Sequence, residues 1–319
     1  MKFMSSRYLL ILALVLYVCS SSACYLEGEG FGDTVEKSFQ VSKGGNLIVQ
    51  TDIGAIEVRS GQDDRVRVKV IQKARANTRK KARRILKDFV LDMQQRGNDV
   101  IINGDYKRHK HWFSWFRRNR LRIRFEITVP PVYNVNLRTS GGSISVSNLE
   151  GQVESRTSGG SLHFGMINGP VFGKTSGGSI RLKGCVGDAE VRTSGGSITI
   201  GKVEGEVDAH TSGGSIRVEE VMGSIQASTS GGSIKASVSK QPEGDCRLTT
   251  SGGTIRLYLA EDIKLNIDAR TSGGRVRTDF PVTLEGELSR RKLYGKINGG
   301  GPEFYLRTSG GSIYIKRFE

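Results

Sequence analysis

Residues 171–218 read VFGKTSGGSIRLKGCVGDAEVRTSGGSITIGKVEGEVDAHTSGGSIRV, and the tetrapeptide Thr-Ser-Gly-Gly opens at Thr175, Thr193 and Thr211, eighteen residues apart each time. Outward from this stretch the same four residues begin at Thr139, Thr157, Thr229, Thr250, Thr271 and Thr308, with spacings of 18 as far as Thr229 and then 21, 21 and 37. A fixed period of this length marks a repeat architecture, in which one unit cannot bury its apolar face alone and stacking supplies the core. The interval of 37 is close to two periods, and Asn298-Gly299-Gly300 reads as a decayed copy inside it.

Aligning the copies on their Thr exposes the columns. Five residues on stand Ile144, Leu162, Ile180, Ile198, Ile216, Ile234, Ile255, Val276 and Ile313. Two further on stand Val146, Phe164, Leu182, Ile200, Val218, Ala236, Leu257, Thr278 and Ile315. Alternation of this kind is a strand with one buried face. Four residues before the Thr a second apolar column, Val135, Val153, Val171 and onward, places another strand ahead of the turn.

Each rung is therefore strand, Gly-Gly turn, strand and a second turn. The predicted fold is all-β, a parallel β-helix or β-solenoid of about 18-residue rungs with an aliphatic spine. Glycine pairs suit the turn because they accept positive φ and carry no Cβ to strike the rung about 4.8 Å away, and Thr and Ser can form hydroxyl ladders. From Thr139 to Glu319 the spacing predicts roughly ten coils and a rod on the order of 48 Å long.

The Thr-Ser-Gly-Gly-Ser-Ile series, the leading strand Phe125-Glu126-Ile127-Thr128-Val129-Pro130, and the closing Gly295-Lys296-Ile297-Asn298-Gly299-Gly300-Gly301-Pro302 together resemble the bacterial "putative adhesin" family. The resemblance runs from about Phe39 to Glu319. It implies an exported or anchored protein with an adhesin-like β-helical domain.

Four segments are expected. Residues 1–23 form a signal peptide: Lys2 and Arg7 precede an apolar run from Tyr8 to Val18, too short to span a bilayer, and Ser21-Ser22-Ala23 supplies a cleavage site. Residues 24–38 form a linker after Cys24, the candidate lipid-attachment residue. Ser21 stands where the lipoprotein pattern prefers Leu, which leaves lipidation and ordinary cleavage both open. Residues 39–131 form an N-terminal cap with a degenerate first rung at Asn46 to Arg59, and residues 132–319 form the repeat domain. The cap contains one short helix, with Ala82, Ile85, Leu86 and Phe89 at helical spacing behind capping candidates Asn77 and Thr78.

Forty-two glycines, six prolines and 36% hydrophobic residues exclude collagen and helical bundles. The net charge is +16, and +14 without residues 1–23, which favours polyanions: an envelope polymer, an acidic glycan or a lipid headgroup. Export disfavours nucleic acid. The candidate contact is Lys107, Arg108, Lys110, Trp112, Phe113, Trp115, Phe116, Arg117, Arg118 and Arg120, where aromatic rings interleave with cations as at a membrane or glycan surface. The alternative is a hairpin loop whose rings pack on the cap.

The residue before each Thr (Arg138, Arg156, Lys174, Arg192, His210, Arg270 and Arg307 among them) forms an outward basic column. Glu154, Glu190, Asp208 and Asp268 lie two residues earlier, so this column reads as a ladder of ion pairs rather than a polyanion track. Cys185 and Cys246 lie on inward columns, too far apart to bridge, and are expected as buried free thiols.

No metal, cofactor or catalytic residue is expected. The turns hold no carboxylate for calcium, His109 and His111 have no further ligand nearby, and the acidic pairs Glu219, Glu220 and Glu261, Asp262 have nothing converging on them. The expected function is an adhesin-like surface in the cell envelope, in periplasm, outer membrane or cell surface, binding envelope or extracellular polymers. The alternatives are a regulatory or envelope-stress scaffold for a protein partner and a β-helix enzyme acting on acidic polysaccharide.

Overall fold

The structure, a computed structural model, describes residues 31–106, 121–285 and 289–318. The expected signal peptide, Cys24 and the basic aromatic segment from Lys107 to Arg120 lie outside the described residues.

Among the described residues the chain is all-β with one helix, and its strands form two long, mainly parallel sheets of fourteen strands each, neither closed into a barrel. Every Thr-Ser-Gly-Gly turn carries the chain between them. The strand before the turn joins one sheet and the strand after it joins the other, as Val207–His210 and Ile216–Val221 do around Thr211. These are named here the pre-turn and post-turn sheets. Val153 pairs with Val171, which pairs with Ala189, then Val207 and Ile225, so equivalent repeat positions stand in line across the stack.

That register places the inward columns in one dry core. Ile180, Ile198 and Ile216 are at most 1% exposed. A further buried column runs through Leu149, Ile167, Cys185, Val203 and Val221, beyond a bend in the post-turn strands. Cys185 and Cys246 are both buried and free, and burial pushes each thiol up to about 12, where it stays protonated and inert.

At the N-terminal side the elements run β1 (Phe31–Gln40), β2 (Asn46–Thr51), β3 (Ala55–Ser60), β4 (Arg65–Ala74), α1 (Arg79–Leu86), β5 (Phe89–Arg96), β6 (Asp99–Tyr106), β7 (Leu121–Val129), β8 (Asn134–Thr139) and β9 (Ile144–Val146). The pair β2 and β3 is a rung that stacks directly under β8 and β9. The pair β6 and β7 stacks on its other side. Beyond them the sheets switch to antiparallel pairing, with β5 on β6, β4 on β7 and β1 on β4, which ends the parallel run.

Helix α1 starts where Thr78 Oγ1 accepts the Lys81 N–H at 3.3 Å, and buries Ala82 and Ile85. Arg83 and Arg84 suit its negative C-terminal end. Phe89, expected on the helix, instead opens β5, because the helix stops at Leu86 and the ring packs edge-on to Phe125 at 6.5 Å.

The opposite end departs from sequence order. Cys246–Thr250 pairs not with Leu265–Thr271 but with Glu303–Thr308, which pairs in turn with Leu265–Thr271. The post-turn strands follow suit, in the order Ile255–Leu259, Ile313–Arg317, Val276–Thr278. The rung of Thr308 is thus inserted between those of Thr250 and Thr271.

Asn298-Gly299-Gly300 is not a decayed rung turn. The interval instead holds a hairpin, Thr283–Leu284 with Lys292–Ile297, whose second strand lies antiparallel on Leu265–Thr271 and closes the sheet. Asn298, Gly299 and Gly300 all have positive φ (53°, 92° and 87°) and turn the chain back toward the stack. Nine Thr-Ser-Gly-Gly rungs are stacked, rather than the ten coils expected.

Candidate functional site: the outward columns

The turns explain why the rungs stay in register. Each Thr side chain points inward and is nearly buried, yet satisfied. Thr175 Oγ1 donates to the Gly160 carbonyl of the preceding rung at 2.7 Å and accepts its own rung's Gly178 N–H at 3.4 Å. Thr193, Thr211 and Thr229 repeat the pattern. A second ladder joins the last Ser of each turn, with the Ser179 N–H donating to Ser161 Oγ at 3.2 Å and the Ser197 N–H to Ser179 Oγ at 3.2 Å. These bonds satisfy polar groups that burial would otherwise penalise.

The pre-turn sheet carries the outward column just before each Thr, and carboxylates neutralise most of it. Glu154 lies between Arg138 at 3.1 Å and Arg156 at 3.0 Å. Arg192 reaches Glu190 at 3.1 Å and Asp208 at 2.8 Å, while Asp268 meets Arg270 at 3.1 Å and also Arg307. Lys174 has no ion pair among the described residues, and Phe172, in the place of an acid, packs under Arg156 instead. Two shallow depressions of about 440 and 550 Å³ lie along this edge, walled by these cations and by exposed serines such as Ser158 and Ser212.

One contact here has the residue types of a nucleophilic triad. His210 Nε2 is 2.5 Å from Asp208 Oδ1, and its Nδ1 is 2.5 Å from Ser228 Oγ. Catalysis by such a set needs free donors aimed at an oxyanion. The neighbouring Thr211 N–H is committed to the Ser228 carbonyl at 3.0 Å, and the three side chains form a hydrogen-bond chain on the outward face of the pre-turn sheet.

The post-turn sheet is different. Six residues after the Thr, its outward column reads, in spatial order, His163, Arg181, Thr199, Arg217, Lys235, Arg256, Tyr314 and Arg277. Lys183 and Lys316 lie exposed on the same sheet. Among these cations only Arg217 stands within ion-pair distance of a described carboxylate, Glu219 at 3.6 Å. Lys235 lies 4.9 Å over the Tyr258 ring and Arg256 5.8 Å from that of Tyr314.

Rungs are about 4.8 Å apart, and two like charges 4 Å apart repel by about 1 kcal/mol even in bulk water. The pre-turn column relieves that repulsion internally; the post-turn column does not. His163 registers the resulting field: desolvation on the sheet and the Arg181 guanidinium in the next rung hold its imidazole below the ordinary range, although the ring remains open to solvent.

Sequence reading did not single out this column, which is less regularly cationic than the position before each Thr. The same alignment contained it, between the two buried columns, although the place of Tyr314 between Arg256 and Arg277 required the inserted rung. The acidic residues behind the enzyme alternative are dispersed: Glu219 pairs with Arg217, Glu220 accepts from Ser239 at 2.8 Å, and Glu261 pairs with Arg317 at 2.7 Å. Among the described residues no three His, Cys, Asp or Glu side chains gather as metal ligands, and no helix is long and apolar enough to cross a membrane.

Solved structures resemble the chain at low identity. A "putative adhesin" from Bacteroides fragilis is 13% identical, with 89% of this chain and 97% of that one covered and a TM-score of 0.35. A "putative cell adhesion protein" from Clostridium sporogenes is 13% identical over 89% and 100%, with a TM-score of 0.22. A "putative lipid binding protein" from Parabacteroides distasonis is 16% identical over 90% and 97%, with a TM-score of 0.31. No curated protein matches the sequence. The family model Toastrack DUF4097 matches residues 46–316, from the first strand of the innermost N-terminal rung to the last strand of the inserted one, and the chain belongs to that family.

Proposed function

We propose that this chain is an exported cell-envelope protein whose β-solenoid of eighteen-residue rungs presents a rigid surface for binding envelope or extracellular polymers. The observation that carries the reading is the post-turn face, where cations stand in register with few carboxylates among them. A rigid row of uncompensated charge presents its ligand with groups already in place, which lowers the entropic cost of binding. Residues 1–23 act as the export signal in this reading, and a lipid on Cys24 would tether the rod. The segment containing Trp112, Phe113, Trp115 and Phe116 adds a second contact with an anionic surface.

The test is retention of the intact mature protein on purified cell wall, lipopolysaccharide and anionic-lipid surfaces at moderate salt. Salt-sensitive retention on at least one supports the proposal, and passage through all three ends it.

A further inference from the structure

We infer that the outward column of the post-turn sheet binds a linear acidic polysaccharide laid along the rod, its acid groups meeting Arg217, Lys235 and Arg256 in successive rungs and Arg277 one rung past Tyr314. The inference rests on the polymer-binding reading above and names its face and ligand class.

The two sheets form an internal comparison. Both stack cations at the same rung spacing. On the pre-turn sheet, carboxylates two residues away in sequence bridge neighbouring guanidiniums. On the post-turn sheet, Lys235, Arg256 and Arg277 have no carboxylate partner among the described residues, and Arg217 has one only at 3.6 Å. A row of like charges left uncompensated by the fold is complementary to a ligand carrying the missing charge at repeated intervals.

The direction of the row selects a chain molecule. Register pairs Arg217 with Lys235, Lys235 with Arg256, Arg256 with Tyr314 and Tyr314 with Arg277, so the row runs perpendicular to the strands, along the rod. Tyr314 within the row and Tyr258 beside it are half-buried, offering flat rings and hydroxyl groups to sugars between the acid groups. A membrane fits less well, because interfacial binding needs apolar side chains that insert. The exposed large apolar residues of the described chain, such as Val90, Met166 and Leu284, lie off this row.

The experiment uses the full mature chain and polygalacturonate, a linear polycarboxylate, with phosphatidylglycerol vesicles as a second probe. The variants are K235Q/R256Q/R277Q on the post-turn row and R138Q/R156Q/R192Q on the pre-turn column. The first should weaken polygalacturonate binding at least tenfold and flatten its salt dependence by about three counterions, one for each cation removed. The second should change binding less than threefold.

Wild-type binding to polygalacturonate that the post-turn variant leaves intact, or that the pre-turn variant reduces equally, would overturn this assignment and leave the polymer-binding reading standing. Wild-type retention on cell-wall material with no affinity for polygalacturonate or for other linear acidic glycans would do the same. Vesicle binding of comparable strength, lost in the post-turn variant, would transfer the face to lipid and overturn the polysaccharide assignment.

Discussion

At the scale of a residue, the second glycine of each turn is a tight constraint that recurs in every rung. A Cβ on Gly178 would stand 2.1 Å from the Gly160 carbonyl oxygen, whereas one on Gly177 would meet nothing closer than 3.6 Å. Gly178→Ala must therefore push backbone apart between rungs and should cost about 3 kcal/mol or more, while Gly177→Ala should stay within about 0.5 kcal/mol; denaturation midpoints of the two variants give the comparison. The sequence made the glycine pair conspicuous, yet only part of its reason was legible. Positive φ accounts for Gly142 alone among these pairs, and what forbids a side chain at the second position in the others is the neighbouring rung, which is distant in sequence. The inward Thr was legible because alternation fixes which side chains face in.

At the scale of the strands, equal stacking has produced two unequal faces, and His163 reports on the more basic of them. Its imidazole is held low, first by desolvation and then by Arg181. A histidine lowered in the folded state binds fewer protons there than when unfolded, so stability falls as pH drops below its ordinary value of about 6.5 and levels off below the folded value. Arg181→Gln removes the neighbouring charge and leaves the desolvation. The His163 pKa, followed by NMR of the ring, should rise toward but not reach the ordinary value, and an unchanged titration would mean that Arg181 exerts no field there. The strands themselves were legible from period-two alternation, but their order at one end was not. Register is specified by the apolar pattern, and because every rung presents nearly the same pattern, the sequence carries no mark that seats Thr308 beside Thr250.

At the scale of the molecule, antiparallel strands end both sheets at the N-terminal side and the pre-turn sheet at the other, and there the rung that comes last in sequence is not the outermost of the stack. Residues 303–317 bury Phe304, Leu306, Ile313 and Ile315 completely, and at about 1.5–3 kcal/mol for each side chain their loss rivals the whole stability of an ordinary domain. They also join the rung of Thr271 and its closing hairpin to everything else. Deleting 303–319 should strip hydrogen-exchange protection from residues 265–297 while leaving residues 134–221 protected. Excising one complete repeat, residues 180–197, should leave a shorter, cooperatively folded stack, because its neighbours can pair with each other; equal damage from the two deletions would contradict the inserted order. During synthesis, the outermost rung leaves the ribosome before the one that must slip in beneath it, so it has to wait, unseated, for later residues. Completion of the far tip is thereby tied to translation of its last-placed segment, and a message cut short in the preceding hairpin yields a product that proteases can tell from the finished one.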